Sequence, residues 1–217
     1  MRILIIDQYF AINGDRPGQR FFEIGRRLVK RGHQVTVITG NSSLGLSLDQ
    51  KKIGLLQKEG MALIVFNMGY PRHIAGEGRR DSLKFARRAA RQGRRLPAPD
   101  LVLASTPPLA INGPAHFLSC FYKAPLVMEL REAAGVPGRV EGNMLNKLLV
   151  SPLQRAAHKA FLRAESIIAT SPEAAQAARE LAPSGKTVHL LPDDLTPGVL
   201  FQKFGEILEM AGRACDK

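Results

Sequence analysis

Met1-Arg2-Ile3-Leu4-Ile5-Ile6-Asp7 opens the chain, and Leu28-Val29-Lys30-Arg31-Gly32-His33-Gln34-Val35-Thr36-Val37-Ile38-Thr39 follows a short loop and a helical stretch. The first run is short, continuous and β-branched, the pattern of a strand buried on both faces. Residues 2–7 therefore read as a parallel strand, and 34–39 as a second. Between them Gln19 to Arg31 has helical spacing, with Phe22, Leu28 and Val29 as core candidates. Gly32 stands where a helix C-cap belongs. The unit is β-α-β, with a right-handed crossover expected.

Working outward, strands are predicted at 61–66, 101–105, 126–130, 166–170 and 187–191. Helices are predicted at 80–95, 109–121, 144–164, 173–182 and 198–212. Pro152 marks a kink or break in the fourth. Thr196 and Pro197 read as N-cap and first position of the last helix. That helix places Leu200, Phe204, Ile207, Leu208 and Ala211 on one face. Strands alternating with helices imply an α/β fold with a doubly wound, mostly parallel sheet covered on both faces. The length suits one domain.

Two cysteines, Cys120 and Cys215, make no disulfide framework and have no clustered zinc co-ligands. They read as reduced thiols of a cytoplasmic protein. The N-terminal apolar run is too short for a signal core, so the Asn41-Ser42-Ser43 sequon carries no expectation of glycosylation. No stretch reaches the roughly 18–20 apolar residues of a spanning helix. No dinucleotide fingerprint, Walker loop, H-E-x-x-H or G-x-S-x-G is present, and the second strand ends in Thr39-Gly40-Asn41 without a ribose-binding acid. No cofactor and no metal are expected.

Ligands of open α/β sheets sit beyond the carboxyl ends of the strands. Those ends carry Asp7-Gln8-Tyr9, Thr39-Gly40-Asn41, Met68-Gly69-Tyr70, Ser105-Thr106-Pro107, Glu129-Leu130-Arg131-Glu132 and Thr170-Ser171. Gly14 and Gly18 allow close backbone approach, and Arg16 and Arg20 add charge at a helix N-terminus. That loop is either an anion site or an ordinary strand-to-helix turn. Arg131 is either a phosphate or carboxylate clamp, oriented by Glu132 or working beside it as a base, or one half of a structural ion pair.

The net charge is +12 and the isoelectric point about 10.2, which speaks of partners rather than fold. Residues 79–95 hold Arg79, Arg80, Lys84, Arg87, Arg88, Arg91, Arg94 and Arg95 against the single acid Asp81. Leu83, Phe85, Ala86, Ala89 and Ala90 offer apolar contacts there. Lys147, Arg155 and Lys159 add a later basic stripe. The segment reads as a contact for an anionic membrane surface or as a merely solvated face. Nucleic acid is disfavoured by 6% aromatics, the absence of Trp and the absence of a binding motif.

The residues carry a resemblance. Residues 1–10, the glycine loop and Arg20 to Thr39 resemble the opening of family 4 glycosyltransferases, most specifically in Leu28-Val29-Lys30-Arg31-Gly32-His33-Gln34-Val35-Thr36-Val37-Ile38-Thr39. Pro99-Asp100-Leu101-Val102-Leu103-Ala104-Ser105-Thr106-Pro107-Pro108-Leu109, Ala124 to Glu132 and Ala164 to Pro172 are similar to three further segments of that family. The likeness covers about residues 1–192. It implies one Rossmann-like half of a GT-B enzyme, the acceptor-side N-terminal half, over residues 1–195. Residues 196–217 are then an amphipathic helix packed on the same domain.

The resemblance also has departures. The family usually continues P-N-G-V-D into a donor domain, whereas this chain reads Pro192-Asp193-Asp194-Leu195. Its usual Arg-Asp reads Arg131-Glu132. The implied function is an acceptor-side subunit in sugar transfer from a nucleotide-sugar to a lipid-linked or polysaccharide acceptor, with a partner chain carrying the donor domain. Arg131 and Glu132 are then the catalytic candidates in the cleft. Gly14, Gly18, Arg20 and Thr106 are the candidates for binding the nucleotide-sugar, a co-substrate. The alternatives are a non-catalytic binding or regulatory module derived from such a domain, and a self-sufficient homodimeric enzyme.

Overall fold

The computed structural model describes residues 1–12, 19–41, 44, 53–68, 79–133, 144–182, 186–192, 195 and 197–213. Eight strands form one sheet: β1 (Arg2–Ile6), β2 (Gln34–Gly40), β3 (Ile53–Lys58), β4 (Met61–Phe66), β5 (Leu101–Thr106), β6 (Leu126–Leu130), β7 (Ser166–Ala169) and β8 (Thr187–Leu190). Their order is β3-β4-β2-β1-β5-β6-β7-β8, and every pairing is parallel except β3 with β4. The chain runs outward from β1 through β2 to β4, then returns to lay β5 on the other side of β1. The switch point therefore lies between β1 and β5.

The six helices are α1 (Gln19–Lys30), α2 (Arg79–Gly93), α3 (Asn112–Tyr122), α4 (Met144–Arg163), α5 (Pro172–Leu181) and α6 (Pro197–Arg213). Two apolar cores explain the continuous hydrophobic strands. Leu4 and Ile6 join Phe85, Leu118, Phe161 and Ala174 under α2 to α5, while Ile3 and Ile5 join Phe21, Leu28, Leu200 and Phe204 under α1 and α6. Alternate residues of one strand serve opposite faces, so no polar alternation survives in the sequence. The predicted face of α6 is buried at Leu200, Phe204, Ile207, Leu208 and Ala211. Phe204 meets Phe21 edge-on at 6.3 Å between centroids. Each such side chain contributes about 1.5–3 kcal/mol by leaving water.

Two glycines occupy constrained positions. Gly32 ends α1 with φ of 84°, in the left-handed region. At Gly25 an added Cβ would overlap the buried Met61 sulfur, so a larger residue would require that side chain to shift.

Three expectations are corrected. β3 was not anticipated: Ile53-Gly54-Leu55-Leu56-Gln57-Lys58 is an edge strand exposed along most of its length, so no buried face stamps a period on it. A tight turn at Glu59 and Gly60, with φ of 49° and 79°, folds it antiparallel onto β4. The helix predicted at 109–121 begins as a 3-10 turn at Leu109–Ile111 before α3. Finally, α4 continues through Pro152, so the anticipated break is not there. Thr196, proposed as the cap of α6, lies outside the described residues, while Pro197 is the first residue of that helix.

Candidate functional site

The carboxyl ends of β1, β5 and β6 meet at the switch point, and their polar residues are locked together. Glu129 lies in a strand whose five residues are all buried. An acid there needs a cation, because an unpaired buried carboxylate costs several kcal/mol. It has two. Arg20, from the first turn of α1, places Nε 2.8 Å from Glu129 Oε1, and Arg131 places Nε 3.2 Å from Oε2. Ser105 Oγ, on β5, donates to the same Oε2 at 3.1 Å.

Arg131 also reaches back across the sheet. Its Nη2 stands 3.0 Å from Oδ2 of Asp7, which is fully buried at the end of β1. The backbone N–H of Tyr9 donates to the other Asp7 oxygen at 3.0 Å. Burial pushes the Asp7 carboxyl above the ordinary carboxylate range, against the opposing pull of Arg131 and the Tyr9 amide. Burial alone would lower the Arg131 pKa, but Asp7 and Glu129 together hold it above its usual value. Two acids and two arginines thus balance in charge. Arg20 Nη2 further donates to the Leu191 carbonyl at 3.0 Å, and Thr170 Oγ1 donates to the Arg131 carbonyl at 3.1 Å. The network ties the ends of β1, β5, β6, β7 and β8 to the start of α1.

Of the residues singled out from sequence, Arg20 and Arg131 are brought together, through Glu129. Glu132 follows on an exposed loop position. Thr106 is fully buried at the end of β5, and its Oγ1 has no hydrogen-bond partner among the described residues. Asn112, at the start of α3, is likewise buried with both amide atoms unpartnered. Gly14 and Gly18 lie outside the described residues. Sequence reasoning missed Asp7 and Glu129 as partners of the arginines and did not weigh Ser105 or Asn112. A signal existed for Glu129: an acid inside Leu126-Val127-Met128-Glu129-Leu130, otherwise wholly apolar.

The basic segment forms α2. Arg80, Lys84, Arg87, Arg91, Arg94 and Arg95 are exposed, while Arg88 Nη1 donates to the Asn67 carbonyl at 2.7 Å. Phe85, Ala86 and Ala89 face the core and are closed to outside contact, contrary to expectation; Leu83 is 36% exposed. Phe85 packs edge-on against Phe66 at 5.7 Å. Gly93 abuts Leu118 of α3, whose Phe117 and Phe121 are exposed and stacked at 5.9 Å. Among the described residues no helix is long and apolar enough to cross a membrane.

A doubly wound sheet with its polar cluster at the switch point defines a Rossmann-like domain. Residues 17–193 match the model of the glycosyl transferase 4-like domain, and the chain belongs to that family. No curated protein sequence matches it. Among solved structures it is similar to a chain of sucrose-phosphate synthase from Thermosynechococcus elongatus, with TM-score 0.64, 12% identity, and coverage of 97% of this chain and 98% of that one. Against a longer chain of that enzyme the TM-score is 0.62 at 13% identity, covering 88% of this chain and 47% of that one. HepE of Anabaena, in complex with UDP, gives 0.51 at 17% identity, covering 94% and 50%. At these identities the likeness shows the fold, that of the GT-B glycosyltransferases. The chain spans about half the length of the last two.

Proposed function

We propose that this chain is the acceptor-side half of a glycosyltransferase, acting when a donor-type domain on a separate chain closes over the carboxyl ends of its strands. The observation that carries the reading is a family 4-like domain whose polar cluster lies at the β1–β5 switch point. The nucleotide-sugar is a co-substrate shared across the cleft, and the acceptor is a lipid-linked or polysaccharide intermediate. Glu132 is exposed beside the cluster and serves as base or orienting group. Thr106 Oγ1 is a buried hydroxyl left to bond a ligand. Arg20 and Arg131 set the shape and potential of the floor. The arginine crest of α2, with Leu83, Phe117 and Phe121 exposed beside it, suits an anionic membrane surface carrying the acceptor.

The test is capture of the tagged chain from its own cells, with mass spectrometry of what accompanies it. The expected result is a stoichiometric protein bearing a donor-type domain, and sugar transfer by the pair but not by either alone. Transfer by the purified chain without a partner overturns the split arrangement.

One observation favours a second reading, a non-catalytic binding or regulatory module. Arg131 is held by two buried carboxylates rather than presented to a ligand. Glu132→Gln combined with Thr106→Val separates the two. Loss of transfer by the captured pair supports catalysis at this edge; unchanged transfer supports the module.

A further inference from the structure

A second cationic site lies away from the strand carboxyl ends, between α1 and α6. A cavity of about 200 Å³ is lined there by Ile24, Arg27, Lys30, Arg31, Phe201 and Gly205, with Gly198 of the first turn of α6 at its rim. No acid lines it. Glu23 is paired with Arg26, and Glu206 accepts from Gln202 on its own helix at 3.1 Å. Arg27, Lys30 and Arg31 form no ion pair or side-chain hydrogen bond among the described residues.

Two of these cations are held in place by α6. The Arg27 guanidinium lies over the Phe201 ring, 3.8 Å from its centre, a cation–π contact that leaves its N–H groups without a hydrogen-bond partner among the described residues. Arg31 rests against the α6 backbone at Gly205, where any Cβ would collide with Nη1. The positive end of the 17-residue α6 meets the negative end of α1 here, so the cavity's potential comes from its side-chain cations.

Like charges gathered at a concavity without anions repel one another, and a multiply charged anion relieves that repulsion. Guanidinium groups match phosphoryl oxygens bidentately. We propose that the α1–α6 cavity binds a phosphoryl group of a small soluble molecule, a phosphate ester or diphosphate, at a site separate from the switch-point cluster. The two helices cover the sheet face opposite α2 and α3. A ligand here is therefore read by a different surface from the one that carries the arginine crest.

The test is calorimetric titration of the full chain with inorganic pyrophosphate at low salt, repeated with vesicles containing anionic lipid. Saturable one-to-one binding of pyrophosphate is expected. Arg27→Ala with Arg31→Ala should weaken it at least about tenfold, since both guanidinium groups that would bond the phosphoryl oxygens are removed. Gly205→Ala, which displaces Arg31 without removing a charge, should weaken it by a smaller factor. Arg87→Ala with Arg91→Ala on α2 should leave pyrophosphate binding unchanged and weaken vesicle binding instead. Unchanged melting curves confirm that the variants fold. The proposal is overturned if pyrophosphate fails to saturate at millimolar concentration, if only the α2 variant affects it, or if the Arg27/Arg31 variant loses vesicle binding alone.

Discussion

Arg20 and Arg131 contrast with Arg27 and Arg31. The first pair is nearly buried, at 9% and 12% side-chain exposure, and each touches a carboxylate. The second is Arg27, near the end of α1, and Arg31, just past it, at an open cavity with no carboxylate in contact among the described residues. Guanidinium groups of one domain thus carry different duties. Those facing the carboxyl ends of β1 and β6 neutralise acids that the sheet has buried, and removing them exposes those acids energetically. Those facing α6 neutralise no acid among the described residues, and Arg27 instead lies over the Phe201 ring.

The largest expected effect sharpens this contrast. Arg131→Met should cost about 3–5 kcal/mol in urea unfolding, because Asp7 and Glu129 keep their burial and lose a cation. Arg31→Met should stay within about 0.5 kcal/mol. Equal losses would erase the distinction. The pH dependence adds a sign. The Asp7 carboxyl is raised above its unfolded value by burial. Its contribution is therefore complete below the unfolded pKa and is lost as pH rises through the folded one. Removing Arg131 raises that carboxyl further, so the deficit of the variant should shrink on acidification toward the ordinary carboxylate pKa.

A middle effect concerns the third set of cations, on α2. Arg87→Ala with Arg91→Ala should weaken binding to anionic vesicles by about 2 kcal/mol, or roughly 30-fold, and flatten its salt dependence, at about 1 kcal/mol per charge. Stability should be untouched, as for Arg31. A fall in stability instead would place α2 with the buried pair.

The smallest effect extends the comparison to lysine. Lys186 donates to the carbonyls of Phe161, Leu162 and Ala164, closing the C-terminal end of α4. Burial lowers its pKa despite Glu165. Lys186→Met should cost about 1–2 kcal/mol in urea unfolding, and Lys30→Met close to nothing.

Much of the sheet was legible because its strands are buried on both faces and so read as apolar runs bounded by turns. Ile3 to Ile6 and Leu101 to Ala104 show this most plainly. β3 was illegible for the opposite reason, since exposed Leu55 and Leu56 follow no period. At the site, Arg131 was visible as a charge after a buried strand, but its partner Asp7 is 124 residues away. The acids Asp7 and Glu129 stood in view, and nothing local assigned them to particular arginines.

The sequence by itself determined the alternation of strands and helices, the basic character of α2 and the family, since each depends on neighbours along the chain. Tertiary structure alone decided which charges meet. Pairing depends on the switch point that sets β1 beside β5 and on the packing of α6 against α1, and both bring together residues that no local pattern connects.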